Sequence, residues 1–165
     1  MKVVVVYESL WGNTAAVARA IAEGIGPEAV VLSTREATSE AIAGADLVVA
    51  GAPLHAFGLP RESRRSTIRV EPGKGPAPDL SIPTLHSWLE ALPAGHGAAA
   101  AFETRFKGSP GGATGGILRR LERKGYRRVA KGQRFLIKGT YGPLRDGEVA
   151  RARQWGTELA KVLRQ

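Results

Sequence analysis

Short apolar runs rich in β-branched and small residues recur along this chain, and they constrain its fold more than any other feature. Val3–Tyr7 is the first of them, and similar runs lie at residues 46–51 and 98–102. Strands that are buried on both faces of a parallel sheet have this pattern. Between the runs, apolar residues are spaced as on a helix, for example Val17, Ile21 and Ile25. The alternation predicts an α/β fold, a single doubly wound five-stranded parallel sheet with helices on both faces.

The expected elements follow the chain in the order β-α-β-α-β-loop-α-β-α-β-α. We expect strands at residues 3–7, 29–32, 46–51, 98–102 and 133–140, and helices at 14–25, 38–43, 84–92, 117–124 and from Asp146 onwards. In the last helix, Asp146 is the expected N-cap and Val149 is expected to face inward. Residues 52–82 look irregular, and a loop of this length in a compact domain is usually functional. The 165 residues suit one domain, 1–165.

Several kinds of chemistry are excluded or disfavoured by the sequence. There is no cysteine, which excludes disulfides, thiolate metal ligands and a cysteine nucleophile. His55, His86 and His96 do not have metal-ligand spacing, so no metal site is predicted. The glycine-rich fingerprints of dinucleotide and triphosphate sites are missing, as is the Gly-x-Ser-x-Gly elbow of serine hydrolases. The sequence therefore argues against an enzyme that uses NAD alone, a nucleoside triphosphatase and a serine hydrolase.

Charge is distributed unevenly along the chain, whose net charge is +9. Residues 1–60 carry three basic and six acidic side chains, whereas residues 104–138 carry eleven basic side chains and a single acid, Glu122. This basic half points to nucleic acid, an anionic membrane surface or an acidic protein as a partner, or it is simply a solvated cationic surface. Nucleic acid is the least expected of these, because no aromatic residues are interleaved with the basic ones in a stacking pattern.

The apolar runs also bear on where the protein resides. None of them approaches the length that a bilayer-spanning helix requires. The first run turns polar at Glu8, and no cleavage-type region follows it, so no signal peptide is predicted. We therefore expect a cytoplasmic protein with no membrane insertion.

The segment after the first predicted strand, residues 8–14, is the most informative for function. Ligands of doubly wound folds bind outside the carboxyl ends of the strands. Ser9, Asn13 and Thr14 offer side-chain donors, Gly12 lets the backbone approach a ligand, and the first-turn amides of a helix favour an anion. The segment contains no Lys or Arg, so neutral donors would hold that anion. On spacing alone, an ordinary strand-to-helix turn with Ser9 or Asn13 as N-cap explains the same residues equally well.

The run Tyr7-Glu8-Ser9-Leu10-Trp11-Gly12-Asn13-Thr14 resembles the phosphate loop of flavodoxins, in which a hydroxyl, a glycine and a final threonine surround the phosphate of FMN. The predicted five-strand layout is similar to that of the family over nearly the whole chain. The uninterrupted run 133–140 resembles the short-chain form, and residues 101–105 and 142–148 resemble a basic branch of flavodoxin-like domains. The resemblance implies FMN as cofactor, with its phosphate held by Ser9, Leu10, Trp11, Gly12, Asn13 and Thr14.

Two further loops are implied by the resemblance to flank the isoalloxazine ring. One consists of Pro53, Leu54, His55, Ala56, Phe57 and Gly58, and the other consists of Phe102, Glu103, Thr104, Arg105 and Phe106. Phe57, Phe102 or Phe106 would stack on the ring, and Gly58 would allow a peptide flip beside flavin N5. Familiar flavodoxins place Trp or Tyr in these positions, whereas these loops offer Phe and His.

The implied function is electron transfer with FMN, either as a carrier or as a small oxidoreductase that reduces an acceptor such as a quinone. The carrier is favoured because no residue is an evident acid or base for a separate reaction. The basic surface favours an acidic redox partner protein. If Arg61 or Arg105 lies near the ring, the fully reduced flavin should form more easily than in an acidic flavodoxin. The alternative hypothesis is a flavodoxin-like scaffold without flavin that binds an acidic protein or an anionic surface through its basic C-terminal half.

Overall fold

The computed structural model describes residues 1–55, 58–65, 68, 73 and 75–165. Within these residues the chain forms six strands and six helices. The strands are β1 (Val3–Tyr7), β2 (Ala29–Ser33), β3 (Leu47–Pro53), β4 (Ala98–Arg105), β5 (Arg127–Arg128) and β6 (Gln133–Leu136). The helices are α1 (Asn13–Ile25), α2 (Ser39–Ile42), α3 (Glu62–Arg65), α4 (Leu85–Ala91), α5 (Thr114–Arg123) and α6 (Glu148–Leu163).

The strands form one parallel sheet in the order β2-β1-β3-β4-β5, and β6 also pairs with β4. This order confirms the predicted doubly wound α/β fold. The chain winds outward from β1 in both directions, so the topological switch point lies between β1 and β3. In such sheets the crevice outside the carboxyl ends of the strands at the switch point is where ligands bind.

The fifth position of the sheet is filled by two short strands. The strand predicted over residues 133–140 is confirmed at 133–136, but its extension to residue 140 was wrong. β5 pairs with Ala98 and Ala99, while β6 pairs with the carboxyl half of β4, from Phe102 to Arg105. After Leu136 the chain leaves the sheet and turns back, and Ile137 forms an isolated antiparallel bridge with Leu144. Residues 137–140 therefore belong to a loop at the carboxyl edge of the sheet.

The start of α6 also differs from the prediction. Gly147 is the N-cap, with a φ of 85°, and the helix has no side-chain cap. The carboxylate of Asp146 instead lies 3.2 Å from the ammonium of Lys138. Val149, expected to face inward, is 41% exposed, and the buried apolar stripe of the helix begins at Ala152.

The core has one layer on each face of the sheet. On one face α4 and α5 pack with the help of α2, and on the other α1 packs with α6. The contact between α1 and α6 is close because glycines lie in it. A Cβ on Gly156 would stand 2.1 Å from the carbonyl oxygen of Ile21, and one on Gly24 would stand 1.9 Å from that of Arg153. No helix in the described part of the chain is long and apolar enough to cross a membrane.

Candidate functional site

A cavity of about 310 Å³ lies at the carboxyl edge of the sheet, at the switch point. Its size is within the range of small-molecule sites. All three predicted ligand loops reach it. The first contributes Ser9, Leu10, Trp11, Asn13 and Thr14, the second Pro53, Leu54 and His55, and the third Thr104, Arg105 and Phe106.

The first loop turns sharply into α1. Gly12 is the N-cap residue and has a φ of 95°, a left-handed conformation that favours glycine. The hydroxyl oxygen of Ser9 accepts hydrogen bonds from the backbone amides of Gly12 at 3.0 Å and Ala15 at 3.3 Å. Ser9 thus closes the turn as a local cap, and its own hydroxyl proton remains available to a ligand.

Four backbone amides in this loop lack a partner among the described residues. The N–H groups of Leu10, Trp11, Asn13 and Thr14 have no acceptor among the residues that the structure describes. They lie in the first turn of α1 or just before it, where the helix dipole favours negative charge. The side chain of Asn13 packs against Gly142, where an added Cβ would stand 2.5 Å from Asn13 Oδ1. The loop has the donor set of an anion site.

The hydroxyls of Thr14 and Thr104 are hydrogen-bonded to each other at 2.8 Å, and both residues are buried. This bond joins the first loop to the end of β4. Each hydroxyl can accept or donate, so one proton of the pair is free to point into the cavity. Thr14 therefore contributes to the wall that both loops share.

Phe102 does not reach the cavity, contrary to the expectation that it flanks the cofactor. Since β4 continues to Arg105, Phe102 lies inside the sheet, where it is fully buried. Its ring covers Gly51, whose added Cβ would stand 2.1 Å from the ring, and it meets the ring of Phe135 edge-on with centroids 6.3 Å apart. Phe102 is a core residue.

Glu103 is also buried, but it acts on the cavity through its neighbour. Its Oε1 accepts hydrogen bonds from the amides of Ala113 and Thr114, at the start of α5. Its Oε2 lies 3.1 Å from the guanidinium of Arg105, which also donates to the carbonyl of Gly111 at 2.9 Å. Arg105 lines the cavity. Among the described residues the cavity wall thus contains one cation, whose charge a buried carboxylate partly offsets.

In the second loop His55 and Gly58 form an isolated antiparallel bridge. His55 and Gly58 exchange two backbone hydrogen bonds, at 3.0 and 3.1 Å. His55 lines the cavity, whereas Gly58 does not. Burial, followed by the positive charge of Arg64, lowers the pKa of His55 below its ordinary value. Ala56 and Phe57, which the sequence also placed beside the cofactor, lie outside the described residues.

The sequence missed a fourth wall, which comes from the loop after β6. Ile137, Thr140 and Tyr141 line the cavity, together with Ser109 and Ile68. The rings of Tyr141 and Trp11 meet edge to face with centroids 5.3 Å apart. An aromatic pair thus closes one side of the cavity, and of its two members the sequence had indicated Trp11 but not Tyr141.

Trp11 also ties the first loop to the segment that follows residue 75. Its indole N–H donates to the carbonyl of Pro76 at 2.9 Å. One residue earlier in the loop, the carbonyl of Leu10 accepts from the amide of Asp79 at 2.8 Å. Gly75 lies directly against the ring of Tyr141. The rim of the cavity is therefore built from three distant parts of the chain.

Directly before the first loop, Glu8 is a buried acid that the sequence did not single out. Its Oε1 accepts from the amide of Leu85 at 2.8 Å, and its Oε2 lies 3.8 Å from the guanidinium of Arg65. Both side chains are buried. Burial raises the pKa of Glu8 from 4.5 to about 7, although the Leu85 hydrogen bond and Arg65 oppose the rise.

The fold is similar to that of solved flavodoxins. A flavodoxin from the domain Archaea has a TM-score of 0.69 at 20% identity, and the alignment covers 100% of both chains. Flavodoxin 1 from Bacillus cereus has a TM-score of 0.65 at 20% identity over 98% of each chain. The flavodiiron protein from Giardia intestinalis has a TM-score of 0.66 at 20% identity, covering 98% of this chain and 36% of that one. No protein-family model and no curated protein matches the sequence. At this identity the comparisons confirm the flavodoxin resemblance at the level of the fold.

Proposed function

We propose that this chain, which has the fold of the flavodoxins, binds FMN in the cavity at the carboxyl edge of its sheet and transfers electrons. It would act as an electron carrier or as a small flavin-dependent oxidoreductase. The observation that carries the proposal is the loop of residues 9–14. The residues that carry its amides without a described partner line the cavity together with Ser9, beside the N-terminus of α1.

The residues present fit both ends of FMN. The phosphate needs several donors and a positive dipole, and the first loop offers both without a charged side chain. The ring needs flat apolar walls with a few polar groups at its edge, and Pro53, Leu54, Tyr141 and Phe106 supply apolar surface. When bound, FMN would supply one- and two-electron chemistry. The chain would hold the phosphate, cover the ring and set the charge around it.

The cavity wall favours the carrier over an enzyme with its own acid–base chemistry. No carboxylate among the described residues lines it. Its one imidazole, His55, has a lowered pKa, and its backbone is held by a bridge to Gly58. An acceptor would therefore be reduced by the cofactor without a dedicated proton donor from an acidic side chain.

An acidic protein is the redox partner that the surface favours. Phe106 is 44% exposed at the rim of the cavity, and Lys107, which follows it, is also exposed. Arg127 and Arg128 are also exposed, but they pair with Ala98 and Ala99 and so lie at the amino end of β4, away from the cavity. A partner with acidic side chains around its own redox centre would meet the rim at Lys107 favourably.

Asn13→Asp tests the phosphate site with little risk to the fold. A carboxylate at the first position of α1 suits the helix dipole, so stability should hold or rise. The same charge opposes the FMN phosphate, which carries about two negative charges. We expect FMN affinity, measured by quenching of flavin fluorescence, to fall by at least about tenfold. Riboflavin, which has no phosphate, should bind the variant and the parent protein alike.

Gln165→Glu is the matched control, because it makes the same amide-to-acid change at an exposed position of the C-terminus. It should leave both affinities unchanged. If the parent protein fails to bind FMN at micromolar concentration, the electron-transfer proposal is wrong and the alternative, a scaffold without flavin, takes its place. If FMN binds but no more tightly than riboflavin, the assignment of the loop to the phosphate is wrong.

A further inference from the structure

The hydroxyls of Thr14 and Thr104 form a buried pair that joins two elements distant in the chain. Their oxygen atoms are 2.8 Å apart, and each residue is only 2% exposed. Both residues line the cavity at the carboxyl edge of the sheet. Among the described residues, neither hydroxyl has another hydrogen-bond partner. The pair is therefore placed to act together on a ligand in the cavity.

The position of Thr104 is fixed by its backbone. Thr104 lies in β4 between β3 and β6, where its register partners are Pro53 and Phe135. Its carbonyl also accepts a hydrogen bond from the amide of Leu54 at 2.9 Å, directly after β3 ends. Threonine is β-branched, so its side chain has few favourable rotamers. Thr104 is therefore a rigid support for the hydroxyl of Thr14.

Thr14 belongs to the loop that offers donors to an anion. It is the second residue of α1, and its amide finds no acceptor in the part of the chain that the structure describes. In the proposed function this loop holds the phosphate of FMN. The hydroxyl of Thr14 is then a phosphate donor on the same residue as one of the free amides.

The number of protons decides the direction of the bond between the two hydroxyls. In the free protein either oxygen can be the donor. The phosphate of FMN is largely a dianion above neutral pH, and its oxygens accept hydrogen bonds. A threonine hydroxyl has a single proton, so Thr14 cannot donate to the phosphate and to Thr104 at the same time. With the phosphate bound, Thr104 has to be the donor of the pair.

We infer that Thr104 is a positioning residue for phosphate binding, which donates its proton to the hydroxyl of Thr14 and thereby directs the proton of Thr14 to the phosphate. The inference rests on the proposed function, which assigns the phosphate of FMN to residues 9–14. Thr104 need not touch the phosphate itself. Its effect is a preference for a phosphorylated ligand over the same ligand without phosphate.

Two physical effects give this support its size. A hydroxyl that accepts one hydrogen bond becomes a better donor in the next, because hydrogen bonds in a chain polarise one another. Loss of the Thr104 hydroxyl would also leave the buried oxygen of Thr14 without its donor. A hydrogen bond of this kind is worth a factor of about three to ten in an equilibrium constant.

The test compares FMN with riboflavin, which lacks only the phosphate. Dissociation constants are measured by quenching of flavin fluorescence at about pH 7.5, where the phosphate is a dianion. Thr104→Val keeps the shape of the side chain without its hydroxyl, so FMN affinity should fall about three- to tenfold and riboflavin affinity should not change. Thr104→Ser restores the hydroxyl and should return FMN affinity to within about twofold of the parent protein. Equal losses for both ligands, or no recovery with serine, would overturn the inference.

A double variant separates support through Thr14 from direct contact with the phosphate. Thr14→Val removes the hydroxyl through which Thr104 acts. Adding Thr104→Val to that variant should therefore cause no further loss of FMN affinity. If the two losses add, Thr104 contacts the phosphate by itself and the positioning role is wrong.

Thr157→Val is the matched control. Its hydroxyl donates to the carbonyls of Gly24 and Arg153, and the residue lies in α6 and does not line the cavity. Both affinities should stay unchanged.

The outcomes for the inference and for the proposed function differ. A parent protein that fails to bind FMN, or binds it no more tightly than riboflavin, contradicts the proposed function and the inference with it. A parent protein that prefers FMN, together with a Thr104→Val variant that keeps this preference in full, contradicts the inference alone.

Discussion

The stability of this fold should fall as pH rises through neutrality, and Glu8 should be the cause. The carboxyl of Glu8 is fully buried, and its pKa is raised from 4.5 to about 7. Between these two values the folded state holds a proton that the unfolded state has released. The stabilising effect is therefore complete below about pH 4.5 and is lost as pH rises through 7.

The size of the effect follows from the shift. One pKa unit corresponds to about 1.4 kcal/mol, so ionisation of Glu8 should cost the folded state about 3 kcal/mol between pH 4.5 and pH 8. Glu8→Gln removes this ionisation while keeping an oxygen that can accept the hydrogen bond from Leu85. The free energy of unfolding of the parent protein minus that of the variant should fall by about 3 kcal/mol over this range.

Urea unfolding followed by tryptophan fluorescence, at half-unit intervals between pH 4.5 and pH 8.5, measures this difference. Other titrating groups are common to both proteins and cancel in the subtraction. A difference that stays flat, or that rises with pH, would refute the assignment. A flat profile would mean that Arg65, 3.8 Å from Glu8, compensates the charge fully.

Three further substitutions test packing and charge. Gly156→Ala should destabilise the protein by about 1–3 kcal/mol in urea unfolding, because the methyl group collides with the backbone of Ile21. In Gly115→Ala the added methyl group meets only the flexible end of Arg119, so this substitution should stabilise the protein by about 0.5–1 kcal/mol. A loss of stability as large as that of Gly156→Ala would contradict the packing argument. In the FMN-loaded protein, Arg105→Gln should make the potential for full reduction more negative by tens of millivolts, because the cavity wall loses its cation. A redox titration with reference dyes measures this potential, and an unchanged or higher value would show that the charge of Arg105 does not act on the flavin.

The arrangement of the sheet was predictable because each of its central strands begins with a run of apolar residues. Val3–Tyr7 and the runs that become β3 and β4 are buried on both faces, and that requirement is visible in the residues themselves. The fifth position of the sheet, which β5 and β6 fill, was harder to predict. Arg127 and Arg128 are exposed and have no apolar pattern, yet they pair with β4 because the chain has to cross that edge after α5.

The first loop was predictable from its local chemistry, and the other walls were less so. Ser9 and Gly12 make contacts within six residues, so their roles are encoded locally. Phe102 was assigned to the cavity because the predicted strand ended too early. β4 is longer since Thr104 and Arg105 pair with β6, a partner that lies about thirty residues away. Tyr141 was missed for the same reason, because its position depends on the bridge between Ile137 and Leu144.

The location of Trp11 gives the protein a natural optical reporter. Trp88 and Trp155 are buried in the two opposite core layers, whereas Trp11 lines the cavity against Tyr141. Anything that enters the cavity meets this one indole first. Changes in the fluorescence emission of Trp11 therefore report whether the cavity is occupied, without an added label. The Trp11→Phe variant gives the background emission, so that the fraction of molecules carrying a ligand can be calculated.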